Sequence, residues 1–140
     1  MSTYVSARDA LVAHINTGWT TTYPSNRIFY DNTLKIDMNS VGDCFLRVEI
    51  DFMDAFQYDI DASPSHEVTG EVVLTLFTKE GTGTRTKLSM FDYLTSLFKL
   101  VKVSGVQCAV PRPGKRVPRD GWVSEELKVE FSFNSTYCYR

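Results

Sequence analysis

The densest group of side chains that could bind a charged partner is basic and lies in residues 111–121. Its members are Arg112, Lys115, Arg116 and Arg119. Three prolines share these eleven residues, and because proline cannot donate to the ladder of a central strand, we expect an exposed, stiff loop at a hairpin end. Such a loop is either a solvated tip or a contact for an acidic protein surface or a phosphate backbone.

A second candidate surface is acidic and lies in residues 53–65. Asp54, Asp59 and Asp61 alternate there with apolar side chains, and Asp51 precedes them. A calcium-binding loop needs oxygen ligands at alternate positions, a glycine turn and a closing glutamate, and this segment lacks that pattern. We therefore expect a loop that faces solvent or a protein partner, and no metal ion.

The motifs that could support catalysis are incomplete. The pair His66-Glu67 begins like a zinc-protease motif, but it lacks the second histidine and lies in a strand pattern. Residues 81–87 lack the spacing of a phosphate-binding loop, so their glycines predict a strand-to-helix turn. His14 lies on the apolar side of a predicted helix and is expected to be a partly buried structural residue. The sequence predicts no enzyme activity and no cofactor.

The composition predicts one domain, residues 1–140, in a reducing compartment. The formal net charge of -2 argues against a dedicated nucleic-acid binder. Cys44, Cys108 and Cys138 are widely spaced, which favours reduced thiols over disulfides or a zinc site. Neither a signal-peptide pattern nor an apolar run of the roughly 18 residues that cross a membrane is evident. We expect a protein made in the cytosol that does not bind membranes.

The spacing of apolar residues predicts two helices, and these helices must position the charged segments. It predicts one helix over residues 3–16, closed by Gly18, and another over residues 84–100. The second helix carries a broad apolar stripe that should lie on a sheet. The stripe consists of Leu88, Phe91, Leu94 or Thr95, and Phe98.

Alternation with a period of two predicts the strands. Long strands are expected at 45–52, 66–77 and 122–133, and a short strand at 106–110. One face of each long strand is apolar, and the other is expected to meet solvent or a partner. The exception is the end of the strand 66–77 near Phe77, which is expected to be covered on both faces because Val73 and Phe77 make its second face partly apolar. The element order predicts an α+β fold: a mixed, mostly antiparallel sheet with helices packed on one face.

Four features, taken together, resemble the tail terminator family of long-tailed bacteriophages. The similarity covers nearly the full length and rests on the order and spacing of elements. The features are a helix around residues 10–14, an apolar strand start at 45–48 after a loop, a strand ending at 81–83 that leads into the helix 88–100, and residues 106–113 followed by the strand 122–133.

The resemblance implies a structural virion protein at the neck end of the tail, assembled in the host cytoplasm. A homohexameric ring would stack on the last ring of the tail tube protein, stop its polymerisation and offer a surface to a head–tail connector or neck protein. Phage DNA would pass through the lumen without sequence-specific binding. Because a ring needs two different complementary patches per subunit, the aspartates of 53–65 and the cations of 111–121 would form opposite halves of such contacts.

Two other functions remain open at this point. One is a head–tail joining or neck completion protein without termination activity. The other is a small nucleic-acid-binding module that uses the four cations of 111–121. The net acidic charge and the lack of aromatic residues within the basic segment weigh against this second alternative.

Overall fold

The structure is a computed structural model that describes residues 3–22, 28–30, 44–57, 65–79, 81, 84–119 and 121–136. Within these ranges the chain forms two helices and seven strands. In chain order they are α1 (Tyr4–Thr22), β1 (Ile28–Tyr30), β2 (Cys44–Gln57), β3 (Ser65–Lys79), α2 (Thr84–Phe98), β4 (Lys102–Val103), β5 (Val106–Cys108), β6 (Arg112–Arg119) and β7 (Trp122–Thr136).

The strands form one mixed sheet in the order β1-β2-β3-β7-β5-β4, and β6 also pairs with β7. Only the β1–β2 pair is parallel among the described pairs, and the others are antiparallel. Strand β7 pairs with β3 along its whole length on one side. On its other side it pairs with β6 near its start and with β5 further along. The predicted α+β class with a mostly antiparallel sheet is confirmed.

Both helices pack on the same face of this sheet, as predicted. Ala7, Leu11, Ile15 and Trp19 recur every fourth residue of α1 and are fully buried, because this spacing places them on one side of a helix. The core also contains apolar side chains from α2 and from the three long strands. These include Met90, Leu94, Phe98, Leu46, Val48, Val68, Val72, Leu74, Leu76, Leu127, Val129, Phe131 and Phe133.

Helix α1 extends beyond the predicted end at Gly18 and continues to Thr22. A Cβ atom at Gly18 would lie 2.6 Å from the Cδ1 atom of Leu97 in α2. The Tyr93 hydroxyl of α2 donates a hydrogen bond to the Gly18 carbonyl. Gly18 is therefore a point of close approach between the two helices, which explains why a glycine lies inside a helix.

The opposite face of the sheet has a smaller apolar cluster at one end. The Phe45 ring stacks on the Phe77 ring with their centroids 4.5 Å apart. The rings of Phe29 and Trp122 pack edge-on against Phe45. The expectation that the Phe77 end of β3 is covered on both faces is confirmed, although sequence reasoning did not identify Phe45 as the centre of this cluster.

The predicted loop over 111–121 is wrong for most of its length, because residues 112–119 form strand β6. Proline is tolerated at an edge, where the missing N–H faces away from the ladder. Pro113 lies opposite Leu127 and Pro118 lies opposite Val123, with an irregularity between Pro113 and Arg116. The basic residues thus lie on an edge strand held against β7.

Several other predicted boundaries differ from the structure. Strand β2 continues to Gln57, so residues 53–57 are strand and not loop. Helix α2 ends at Phe98, and the predicted strand over 106–110 is limited to Val106–Cys108. Ser104 and Gly105 have positive φ angles of 46° and 88° and form the turn between β4 and β5.

Candidate interaction surface

Arg112, Lys115 and Arg116 of β6 are exposed, and the two arginines form ion pairs within the subunit. The Arg112 Nη2 atom lies 2.8 Å from Glu130 Oε1. The Arg116 Nε atom lies 3.4 Å from Glu125 Oε1. Lys115 forms no ion pair with any residue that the structure describes. Strand pairing brings the four predicted site residues onto one edge, although the Arg119 side chain lies outside the described part of the molecule.

Glu125 connects β6 to helix α2. Its Oε1 atom accepts a hydrogen bond of 2.6 Å from the Nζ atom of Lys87 and also contacts Arg116. The Lys87 side chain is only 8% exposed, and a buried ammonium group is tolerated only when it is paired. The carboxylate therefore fixes α2, β7 and β6 relative to one another.

Sequence reasoning missed this cluster and assigned the wrong residue to the core. Leu88, predicted to belong to the buried stripe of α2, is 53% exposed, whereas its neighbour Lys87 is buried. Lys87 is buried because it pairs with Glu125, which lies far away in the sequence. A lysine between Thr86 and Leu88 gives no signal of such a partner.

The predicted acidic residues are only partly within the described molecule. Asp54 is exposed on β2, and its Oδ1 atom accepts a hydrogen bond of 2.8 Å from the Ala55 amide. Asp59 and Asp61 lie outside the described residues. The structure therefore places one of the three predicted aspartates on a strand beside the sheet face described next.

An acidic row crosses the sheet face opposite the helices. Asp51, Glu71 and Glu130 occupy matching positions on β2, β3 and β7, where neighbouring strands are about 4.8 Å apart. Arg112 lies 2.8 Å from Glu130 and 3.9 Å from Glu71, so it offsets part of the repulsion. This row therefore keeps an excess of negative charge. The alternating pattern within each strand does not predict the row, because the row depends on how the three strands are aligned with one another.

An open groove of about 510 Å³ lies at this acidic end of the sheet. Its polar lining residues alternate along β3 and β7 with buried ones, so the groove opens on the face away from the core. We call it the acidic groove. Its lining includes Met53, Glu67, Gly70, Leu100, Cys108 and Glu130.

Two irregular backbone positions place large apolar side chains at this groove. A shift of register between Phe52 and Asp54 marks a bulge at Met53, and bulges redirect side chains. Leu100 has a positive φ angle of 53°, which costs a leucine on the order of 1 kcal/mol relative to glycine. Met53 and Leu100 are both 63% exposed.

Gly70, which lines the groove, allows Phe131 and the backbone of β2 to approach β3 closely. A Cβ atom at this position would lie 2.5 Å from the Cζ atom of Phe131 and 2.5 Å from the Asp51 carbonyl oxygen. Burial raises the pKa of the nearby Cys108 thiol to about 11, so the thiol is protonated and unreactive near neutral pH. Cys44 and Cys108 are both buried, and their reduced state stays a prediction. Cys138 lies outside the described residues.

The histidines and acidic groups do not assemble into a chemical site in the part of the chain that the structure describes. The His14 Nε2 atom lies 2.7 Å from the Leu97 carbonyl oxygen, and its ring packs edge-on against Phe98. His14 is therefore a partly buried structural residue, as predicted. No group of three His, Cys, Asp or Glu side chains within the described ranges could hold a metal ion.

Neither helix of the described chain has the length and apolar character that a membrane span requires.

Comparison with known proteins identifies the fold and nothing finer. No protein-family model matches the sequence, and no curated protein is similar to it. A solved structure superposes with a TM-score of 0.68 and 15% sequence identity, covering 96% of this chain and 95% of the other. At this identity the similarity shows a shared full-length fold.

Proposed function

We propose that this chain is a structural virion protein that caps the phage tail tube as a homohexameric ring. The ring stops polymerisation of the tail tube protein and offers a surface to the head–tail connector or neck protein. Phage DNA passes through the lumen without sequence-specific binding. The protein acts at the neck end of the virion tail after assembly in the host cytoplasm, and it has no enzymatic role.

The observation that carries this proposal is the charge left on the sheet after the ion pairs within the subunit are counted. On β6, Arg112 pairs with Glu130 and Arg116 pairs with Glu125, whereas Lys115 is exposed and forms no ion pair with any residue that the structure describes. On the outer face, Asp51, Glu71 and Glu130 share one cation, Arg112, among the described ion pairs. The subunit therefore keeps a cation on its basic edge and an excess of negative charge on its acidic row, and both are available to another molecule.

A closed ring requires this kind of asymmetry. Subunits related by rotation meet through two different surfaces, so each subunit must carry both halves of a complementary contact. Among the described residues, β1 pairs only with β2, and β6 pairs only with β7. Open edges of this kind can also form hydrogen bonds across a subunit boundary.

The ion pairs of β6 weigh against the alternative of a nucleic-acid-binding module. Arg112 and Arg116 contact glutamates of the same subunit, so two of the cations expected to meet phosphates are already partly compensated. A module for single strands also needs aromatic side chains among its cations. The four cations of residues 111–121 have none between them.

Disruption of the gene in the virus that encodes this chain tests the proposal. Electron microscopy of lysates should show tail tubes that exceed the normal length and do not join heads. Tails of normal length that fail to join heads would instead support the head–tail joining alternative. Normal virions would contradict both assignments.

A point variant can test the basic edge without disturbing the fold. Reversing Arg112 or Arg116 would break ion pairs inside the subunit, so Lys115→Glu is the cleaner change. We expect Lys115→Glu to fold normally and to give overlong or headless tails. Arg8→Glu, which breaks only an exposed ion pair with its neighbour Asp9 on α1, is the matched control and should give normal tails.

A further inference from the structure

We propose that Asp54 guards the open end of strand β2 against pairing with a second copy of this chain. The Asp54 Oδ1 atom accepts a hydrogen bond of 2.8 Å from the Ala55 amide, and we call this contact the edge cap. The edge cap acts on the backbone of one strand, whether or not the chain forms a ring.

The end of β2 has an edge that no described strand covers. On the side of β2 that faces away from β3, strand β1 pairs only with Leu46, Arg47 and Val48. Residues 54–57 therefore pair with β3 alone among the strands that the structure describes. An exposed edge of this kind is a template for pairing with another chain.

The register of the strands turns the Ala55 amide out of this edge. In an antiparallel ladder, opposite residues alternate between turning their N–H and C=O groups toward each other and turning them away. The Glu130 carbonyl of β7 accepts a hydrogen bond from the Ala109 amide, so it faces away from β3. Carried through the register of β3 with β7 and β2, this alternation turns the backbone groups of Ala55 and Gln57 away from β3.

The bulge at Met53 places this outward amide directly after an aspartate. The register shift between Phe52 and Asp54 moves the outward positions of β2 from even-numbered to odd-numbered residues. The exposed Asp54 side chain can then reach the amide of the next residue. Another strand can use the Ala55 N–H group only after the carboxylate is displaced, and hydrogen bonds to a charged acceptor are the stronger ones.

Strand β6 is limited in a related way at two positions. Pro113 and Pro118 lie opposite odd-numbered residues of β7, and by the same alternation both prolines point outward. Proline has no N–H group to offer there. On β6 the outward donor is missing, whereas on β2 it is present and occupied. Bulges, prolines and charged side chains are the devices that commonly protect strand edges.

A second copy of β2 is the partner against which this edge needs protection. A strand edge is recognised through its backbone groups, and two identical edges in antiparallel orientation are complementary to each other about a two-fold axis. Every folded molecule therefore carries a matching edge. A two-fold pair of this kind also differs in symmetry from the head-to-tail contacts of a ring, so the edge cap would keep subunits from a competing contact.

Removal of the carboxylate tests the edge cap. Asp54→Ala frees the Ala55 amide and should increase self-association by about tenfold or more over the wild-type chain. Asp54→Asn loses the charge but keeps an acceptor oxygen, so its association should stay within about threefold of wild type. Asp92→Ala is the matched control, because it removes the same charge from an exposed position of α2, and it should associate as wild type does. Sedimentation velocity from about 1 μM to about 1 mM measures these constants, and circular dichroism checks that each variant is folded.

A second substitution in the same strand tests whether the freed amide causes the association. Adding Ala55→Pro to Asp54→Ala removes the outward N–H group itself, which an edge strand tolerates. This double variant should return to the wild-type level of association. Hydrogen exchange locates the contact, since the Ala55 and Gln57 amides of Asp54→Ala should exchange quickly when dilute and slowly in the associated state.

Three results would overturn the assignment of the edge cap. The first is an Asp54→Ala variant that associates no more than wild type does. The second is an Asp54→Asn variant that associates as strongly as Asp54→Ala, because charge would then act without the hydrogen bond. The third is association that persists in the double variant, which would place the contact elsewhere. None of these results bears on the ring, which the tail-length experiment tests separately.

Discussion

The two faces of the long strands β2, β3 and β7 differ in how completely they are packed. The inner face is apolar except at the ion pair of Glu125 with Lys87, and it is covered by both helices. The outer face is apolar only at the end where Phe45 meets Phe77 and Trp122, and elsewhere it carries charge rows and the acidic groove. The inner face is thus constrained by packing, while most of the outer face is left available for assembly.

The largest expected effect comes from the inner face. Phe98 is fully buried beneath α1, so Phe98→Ala should lower the free energy of unfolding by about 3–5 kcal/mol. Phe91 is only partly buried, and Phe91→Ala should cost about half as much. Urea unfolding measures both values, and equal losses would contradict the assignment of the buried side of α2.

A somewhat smaller effect is expected at the aromatic cluster of the outer face. Phe45 is 1% exposed, and Phe45→Ala should cost about 2–4 kcal/mol through lost burial and lost ring contacts. If the urea midpoint hardly moves, this cluster is not a second core. The exposed Phe52 provides a comparison, since Phe52→Ala should have a weaker effect.

The Glu125 cluster should rank third. Glu125→Gln leaves the Lys87 ammonium buried without its counter-charge, and we expect a loss of about 2 kcal/mol, moderated because Glu125 is 16% exposed. Adding Lys87→Met to this variant should recover much of the loss. A double-mutant cycle of unfolding free energies gives the coupling, and a coupling near zero would show that the ion pair does not hold α2 to β7.

The smallest effect is expected for the exposed ion pair of the outer face. The Arg112 side chain is 61% exposed where it meets Glu130, so Arg112→Ala should change the unfolding free energy by less than about 0.5 kcal/mol. A loss comparable with that of Glu125→Gln would mean that the outer face contributes to stability as the inner face does. The contrast between the two faces would then fail.

The regular parts of the fold were predictable because their signals are local. Alternation located the three long strands, and the spacing of apolar residues located both helices. Strand β6 was predicted as a loop because prolines are normally excluded from strands. Its position at an edge, where prolines are tolerated, is evident only once its pairing with β7 is known. Glycine at position 18 was taken as a helix end because its close contact with Leu97 is a tertiary feature.

The candidate surface was only partly predictable. The four cations were identified from composition, but their pairing with Glu125 and Glu130 depends on the register of β6 with β7. The acidic groove was not foreseen, because Met53, Glu67, Leu100 and Glu130 come from separate elements.

The pairing of β3 with β7 also determines when during synthesis the chain can fold. Ser65 lies opposite Thr136 and Lys79 lies opposite Trp122, so β3 has no partner on that side until the ribosome has made β7. At about 5–20 residues per second this interval lasts several seconds. A hairpin of β2 and β3 with an open edge is prone to pair with another nascent chain during that time. Slowing translation between residues 80 and 121 should therefore increase the aggregated fraction, while the same delay before residue 65, when β3 has not yet been made, should not.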